Sequence, residues 1–282
     1  MDILGYSSYG YLPCALYLLL LLFLSFRAKA GVESPASSAL IQAAIFGILV
    51  IHGIQLHDSV FTPSGFVFGF AQDLSLIAWV GLAFYWFQSW FLPISSLRWV
   101  AILFACICTI LPNLFPGTLI SPKAVSDPWF KGHFIVATIS VGLLSLAAMH
   151  AMLMSIQDRA LHRQLAIVPN SRAAHWLEDL PPLMTMESLL FNLLYVGFAL
   201  LSLTVFSGLL FSQTLFGKPL VFDHKTIFAL LSWFLFAGLL IARWRVGLRG
   251  RAAIRWVLSA YTALLLAYVG SRFVLEVILQ RA

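Results

Sequence analysis

Histidines are the residues of this chain best suited to chemistry. There are seven of them in a sequence that is 61% hydrophobic and only 10% charged. A neutral imidazole tolerates apolar surroundings and can ligate haem iron, zinc or copper. Four lie near ends of apolar segments that we expect at one membrane face: His52, His57, His133 and His224. They are candidate ligands, but a histidine at a helix end can equally be a simple interfacial polar residue.

Spacing limits which of these histidines can act together. His52 and His57 differ by about 140° around a helix, so we do not expect them to ligate one ion unless the helix ends between them. His150 lies about 25 Å beyond His133 along the same helix and about 100° around it, so these two cannot share a metal. We expect His150 to be a single inward-facing polar residue. His162 and His175 are expected on a loop surface.

The three cysteines indicate no redox site. Cys14, Cys106 and Cys108 all fall inside apolar segments, and the sequence contains no Cys-x-x-Cys or Cys-x-x-Cys-His. This pattern argues against a thiol oxidoreductase and against covalently attached haem. We expect all three to be core residues.

Apolar segments of membrane-spanning length must position these side chains. The mean hydropathy is +0.94, and the runs are long, rich in Leu, Ala and Phe, and lack a period of two, which favours helices over a barrel. The predicted fold is all-α: one integral membrane domain, residues 1–282, forming a polytopic transmembrane helix bundle. We predict about eight spans: Tyr11–Phe26, Ala39–Gln55, Phe70–Phe91, Leu97–Leu114, Gly132–Ile156, Leu189–Phe211, Thr226–Arg243 and Ala252–Leu279.

The cations between the spans predict the topology. Eleven of the seventeen Lys and Arg residues fall in connections that would share one side, and five fall on the other. The positive-inside rule assigns the eleven to the cytoplasm and both termini to the outside, with 157–188 as a cytoplasmic loop. The net charge of +6 therefore reflects topology, and we expect no nucleic-acid partner.

Some polar residues near span ends have expected structural roles. Thr185 is predicted to be the N-cap of the sixth span, with Glu187 in its first turn, and Asp223 is a good N-cap for the seventh. Arg272 and Glu276 are four residues apart in the last span and can pair on one face.

Several segments carry a resemblance that extends over most of the chain. They are His52 with the loop that follows it, Gly132-His133-Phe134 with residues 140–148, and residues 180–187, 247–251 and 267–272. Together these segments resemble the cytochrome c assembly family of membrane proteins, of the CcsA/HemX type, and most of all its YpjD-like inner membrane branch.

The resemblance implies a haem-binding segment before the seventh span. In the wider family, an external segment of the type W-G-x-x-W-x-W-D-x-K-E binds haem and is flanked by histidines that ligate its iron. Residues 216–226 correspond to it. The Gly, Asp and Lys positions match, at Gly217, Asp223 and Lys225, but Phe or Leu replaces each tryptophan, at Phe216, Leu220 and Phe222.

The ligand set implied by the resemblance is incomplete. His133 matches the histidine before the haem-binding segment. Ile241 stands where the family has a further histidine, and the histidine after the last span has no counterpart. His52 and His224 are the candidates for a second ligand. The implied cofactor is non-covalent haem b, with His133 and His52 on the iron and with His224, Asp223, Phe222 and Phe216 as further haem-binding residues.

Two functions of different classes are compatible with these sequence features. The first is a non-enzymatic haem-binding protein of the bacterial inner membrane, of the cytochrome c biogenesis type, that presents haem at the outer face. Its expected partners are haem, the lipid bilayer, and other membrane proteins of cytochrome c maturation or an ion transporter. The alternative is a non-catalytic accessory subunit of a membrane transporter or assembly complex, which the missing ligands and tryptophans favour. A secondary transporter is a weaker reading, because few acids fall within the spans.

Overall fold

The structure is a computed structural model that describes residues 10–30, 35–63, 65–91, 95–119, 127–162, 181–210 and 223–279. Over these ranges the chain forms eight long helices. They are α1 (Leu12–Ala30), α2 (Pro35–Val60), α3 (Phe70–Gln88), α4 (Ser95–Leu114), α5 (Pro128–His162), α6 (Leu183–Leu210), α7 (His224–Val246) and α8 (Gly250–Leu265), which continues in helical form to Ile278.

The predicted all-α polytopic bundle is confirmed. Seven of the described helices are long and apolar enough to cross a membrane, and the apolar part of α1, Leu12–Arg27, is shorter. Each predicted span corresponds to one helix. Many large hydrophobic side chains are exposed on the outside of the bundle, among them Leu19, Leu203 and Phe234. In a multi-pass membrane protein these side chains face lipid, so they need no protein partner.

Helix α5 lies at the centre of the bundle. In the most apolar 18-residue stretch of α5, 78% of the residues are buried, whereas in that of α7 only 17% are. Small residues allow its neighbours to approach closely. A Cβ added to Gly142 would lie 2.5 Å from Val80 Cγ1 of α3, and one added to Gly197 of α6 would lie 2.7 Å from Leu144 Cδ2. Close packing through small residues is how helices associate in lipid.

The bundle has two distinct ends, because successive helices run in opposite directions. We call the one where α5 and α7 begin the His133 end, and the one where α6 and α8 begin the Glu187 end. The predicted loop 157–188 is at the Glu187 end, and its described margins are helical, since α5 runs to His162 and α6 starts at Leu183. Its middle, including His175, lies outside the described residues.

The sequence did not predict a small sheet at the His133 end. Its strands are β1 (Phe61–Thr62), β2 (Gly65–Phe68) and β3 (Thr118–Leu119), in the order β1-β2-β3 and antiparallel. Phe61 pairs with Phe66, and Phe68 pairs with Thr118. The sheet joins the α2–α3 and α4–α5 connections, and it presents aromatic side chains to the neighbouring helices.

At the Glu187 end, the predicted capping of α6 is wrong. The helix begins at Leu183, before Thr185, whose amide donates to the carbonyl of Pro182 at 2.9 Å. Glu187 is therefore past the first turn. Its buried carboxylate accepts a hydrogen bond from Arg243 at 2.6 Å and one from the amide of Gly250 at 3.3 Å. The side chain thus ties α6 to the end of α7 and the start of α8.

Candidate functional site

His133 lies in the second turn of α5. The preceding chain favours a helix start there, because Asp127 caps the helix by accepting from the amide of Trp129 at 2.8 Å and Pro128 occupies the first helical position. The imidazole is half-buried against α6, where its Nδ1 lies 2.8 Å from Ser207 Oγ. This contact fixes the orientation of the ring.

The start of α7 is capped as predicted. Asp223 Oδ1 accepts a hydrogen bond from the amide of Thr226 at 2.8 Å, and the backbone of Asp223 is extended. This confirms its N-cap role. His224 and Lys225 follow in the first turn, and both are exposed. Phe216 and Phe222, the predicted aromatic haem-binding residues, lie outside the described residues.

Several charged groups lie within electrostatic range of one another at the His133 end. Lys225 is close enough to interact electrostatically with His133, Asp73, Asp223 and Arg272. Its ammonium lies 5.6 Å from the centre of the Tyr268 ring. These groups come from α3, α5, α7 and α8, so each of these four helices contributes polar side chains to the His133 end.

Arg272 joins this cluster to the sheet. Its guanidinium donates a hydrogen bond to the backbone carbonyl of Phe68 at 3.2 Å. The guanidinium carbon also lies 5.2 Å from the centre of the Phe68 ring. The predicted partner, Glu276, has a side chain that lies outside the described part of the chain. The contact with Phe68 is one that sequence spacing could not reveal, because β2 is distant in sequence.

His52 is held differently. Its side chain is fully buried between α1, α2 and α3. Nδ1 lies 3.2 Å from the hydroxyl of Tyr17, and Nε2 lies 3.0 Å from Ser75 Oγ. Both ring nitrogens are thus used in hydrogen bonds. For His52 to ligate iron, one of these contacts must break.

His150 faces the interior, as predicted. Its side chain is only 1% exposed, and neither ring nitrogen has a hydrogen-bond partner within the described ranges. The cysteines are also interior residues. All three are buried, and the sulfurs of Cys14 and Cys106 are 3.7 Å apart.

An aromatic cavity of about 470 Å³ also opens at the His133 end. Its walls come from the end of α2, strands β1 and β2, and the beginnings of α3 and α5. The side chains that line it are apolar apart from one histidine, and they are Val50, Gly53, Ile54, Leu56, His57, Val60, Phe61, Phe66, Phe68, Leu76, Trp79 and Phe134. The aromatic residues are visible in the sequence. The sequence does not show that they line one cavity, because the sheet brings them together.

The donor set at the His133 end fits haem better than a metal held by protein alone. No group of three or more His, Cys, Asp or Glu side chains that could hold a metal ion occurs among the described residues. Haem iron needs only one or two protein ligands, because the porphyrin supplies the rest. His133 offers an oriented imidazole, and Lys225 and Arg272 supply positive charge suited to the porphyrin's carboxylates.

Several curated proteins match parts of this chain. The chain is 36% identical over 153 residues to an uncharacterized 28.8 kDa protein of Azospirillum brasilense, covering 54% of this chain and 53% of that protein. It is 29% identical over 175 residues to the inner membrane protein YpjD of Escherichia coli K12, covering 62% of each. A shorter match, 26% over 92 residues, is to the cytochrome c biogenesis protein CcsA of Gloeobacter violaceus, covering 33% of this chain and 27% of CcsA.

The chain therefore spans between about half and three fifths of the length of the first two relatives. The family model described as Cytochrome C assembly protein matches residues 67–279, which include α3 to α8 and both His133 and Asp223. The chain belongs to the cytochrome C assembly protein family.

Proposed function

We propose that this chain is a haem-handling protein of the bacterial inner membrane, of the cytochrome c biogenesis type, that presents non-covalent haem b at the outer face without catalysing a bond change. Family membership supports the biogenesis role. One observation about the molecule carries the site: the oriented imidazole of His133 is within electrostatic range of Lys225, which follows the capped start of α7.

In this proposal each residue has a distinct task. His133 is the iron ligand, and Ser207 holds its ring in place through Nδ1. Lys225 attracts the carboxylates of the porphyrin. Asp223 fixes the start of α7 and so the position of His224, which is the exposed candidate for a second ligand. Phe216 and Phe222 contribute apolar contact area in place of tryptophan.

His52 remains a candidate second ligand, but it is a costly one. Its use requires giving up a hydrogen bond to Tyr17 or Ser75 inside a buried site, which leaves a buried polar group unpaired. His133 is only half-buried and His224 is exposed, so both lie in more open surroundings than His52. The bound haem would supply iron ligation and redox chemistry, and these residues would bind and orient it.

The test compares two histidines on one helix. His133→Ala should lower haem retention in the purified protein, whereas His150→Ala should leave it nearly unchanged, because His150 lies about 25 Å deeper along α5. Haem is measured from the Soret absorbance per protein, in samples of equal expression and monodispersity. Equal loss in both variants, or a greater loss for His150→Ala, would contradict the assignment of haem to the His133 end.

The alternative is a non-catalytic accessory subunit of a transporter or assembly complex. The aromatic replacements at Phe216 and Phe222 and the Ile at position 241 favour it. Purification in mild detergent separates the two functions. A chain that is recovered without haem but with a stoichiometric membrane partner supports the accessory role, whereas recovery alone with haem rules it out.

A further inference from the structure

We propose that the aromatic cavity binds one phospholipid with a primary-amine headgroup, as in phosphatidylethanolamine. The acyl chain fills the cavity, and the ammonium group contacts His57 and Asp58 at its mouth. This site is distinct from the proposed haem function, because a lipid can bind here whether or not the chain binds haem. Its lining includes His57 but neither His133 nor any lysine or arginine among the described residues.

The cavity opens to the bilayer along one face of α2. Val50, Ile54 and His57 all line it, and their spacing of four and three residues places them on a single stripe of the helix. Val50 and Ile54 are also exposed. On a membrane-spanning helix, exposed apolar side chains face lipid. A molecule that is already in the bilayer can therefore enter sideways without crossing water.

The walls of the cavity suit an acyl chain. Phe134 of α5 lies edge-to-face against Phe68, with ring centres 5.0 Å apart, and Phe66 stacks on Phe68 at 5.8 Å. The volume of about 470 Å³ falls within the usual range for small-molecule sites, which is roughly 300–1,000 Å³. Water gains little in such surroundings because it finds few polar partners, whereas a hydrocarbon chain makes many dispersion contacts.

Trp79 is fixed as part of the wall before any ligand binds. Its indole nitrogen donates to the carbonyl of Leu49 at 2.8 Å, so the polar atom of the ring is satisfied within the protein. Gly53 allows the close approach of α2 and α3, since a Cβ there would lie 3.3 Å from the indole. The apolar wall is therefore preformed, which limits the cost of ordering it on binding.

The cavity runs in the direction that a phospholipid would take. Helix α2 ends at Val60, so His57 and Asp58 lie in its last turn, at the depth of the headgroups. Val50 is seven residues before His57, about 10 Å along the helix axis toward the bilayer centre. The polar pair thus lies at the mouth of the cavity and the apolar lining continues below it.

His57 and Asp58 provide hydrogen-bond acceptors at this mouth. His57 Nδ1 lies 3.2 Å from Asp58 Oδ1, and both side chains are exposed. When Nδ1–H donates to the carboxylate, Nε2 keeps its lone pair, and the second carboxylate oxygen is another acceptor.

An ammonium headgroup matches these acceptors. It carries three N–H donors and a positive charge that the Asp58 carboxylate attracts. The Phe61 ring, whose centre lies 4.9 Å from that of His57, offers a further face to a cation. A choline headgroup has the charge but no N–H donor, and an anionic glycerol headgroup has the wrong charge. The mouth therefore favours the primary amine.

The experiment offers three lipids to the full chain. The protein is purified in detergent, stripped of lipid and mixed with equal amounts of dioleoyl phosphatidylethanolamine, phosphatidylcholine and phosphatidylglycerol, and the bound lipid is counted by native mass spectrometry. We expect about a threefold to tenfold preference for the amine over the choline lipid. Asp58→Asn should abolish this preference, and His57→Phe should reduce it. Leu76→Trp, which fills the cavity, should lower lipid binding, whereas Leu203→Trp, a lipid-facing control on α6, should not.

Several results would overturn the site. Equal binding of the amine and choline lipids, a preference for the anionic lipid, or a preference that survives Asp58→Asn would each refute recognition of the ammonium group. A monodisperse Leu76→Trp protein that binds as much lipid as Leu203→Trp would place the lipid outside the cavity. Should Leu76→Trp fail to fold, the exposed substitutions at His57 and Asp58 decide. Because no readout involves haem, failure here leaves the function proposed for His133 standing.

Discussion

At the residue scale, burial alone does not say what a histidine does. His52 and His150 are both buried, yet the first has both ring nitrogens in hydrogen bonds and the second has neither in one within the described ranges. His133 and His57 each use Nδ1 to fix the ring. The contacts of the ring nitrogens therefore distinguish these four histidines better than burial does.

This difference predicts opposite effects of the same substitution. His52→Leu leaves the buried groups of Tyr17 and Ser75 without this partner and should reduce the free energy of unfolding by about 1–3 kcal/mol. His150→Leu removes two unsatisfied nitrogens at similar volume, so it should be neutral or stabilising. Resistance to unfolding in increasing dodecyl sulfate measures both. A larger loss for His150→Leu would mean that the His150 imidazole makes a stabilising contact in the folded protein.

At the element scale, the helices were predictable from the sequence, but the contacts between them were not. The apolar runs define each span to within several residues, because lipid requires long continuous helices. Asp223 was recognisable as a cap because capping is local. The sheet, the contact of Arg272 with Phe68 and the aromatic cavity all depend on residues far apart in sequence, which no local pattern reveals.

The role of Glu187 illustrates the same limit. Position alone suggested an acid in a first turn, but Glu187 joins three helices through Arg243, Arg249 and the amide of Gly250. Arg243 also lies 4.2 Å from the centre of the Phe191 ring. The side chains of Glu187 and Arg243 are 9% and 19% exposed, so neither charge is well solvated when the other is removed.

Glu187→Gln should therefore lower the free energy of unfolding by about 3–5 kcal/mol, since it leaves the Arg243 charge largely buried and unpaired. Arg249→Gln is the matched control. It touches the same carboxylate, but its side chain is 59% exposed and 3.7 Å away, so its loss should cost less than about 1 kcal/mol. Both are measured in the same unfolding assay. Similar costs for the two variants would refute the buried-pair account.

At the scale of the whole molecule, the candidate sites gather at one end and the paired arginines at the other. His133, Lys225 and the aromatic cavity lie at the His133 end, whereas Arg243 and Arg251 form ion pairs at the Glu187 end. The positive-inside rule then predicts that the His133 end faces outward, together with both termini.

Labelling of a terminal cysteine tests this orientation. Because Cys14, Cys106 and Cys108 are buried, background reaction should be low. In intact cells, Ala282→Cys should react with a membrane-impermeant maleimide, whereas a cysteine at Arg249 should react only after permeabilisation. The reverse pattern would place the candidate haem site on the cytoplasmic side and overturn presentation at the outer face.

The haem content of the protein purified from its native membrane tests the central claim most directly. The account predicts a Soret band in the isolated protein that is weakened by His133→Ala and retained in His150→Ala. Absence of the band from the native protein, together with no new band after haem is added to the folded, monodisperse chain, would contradict it.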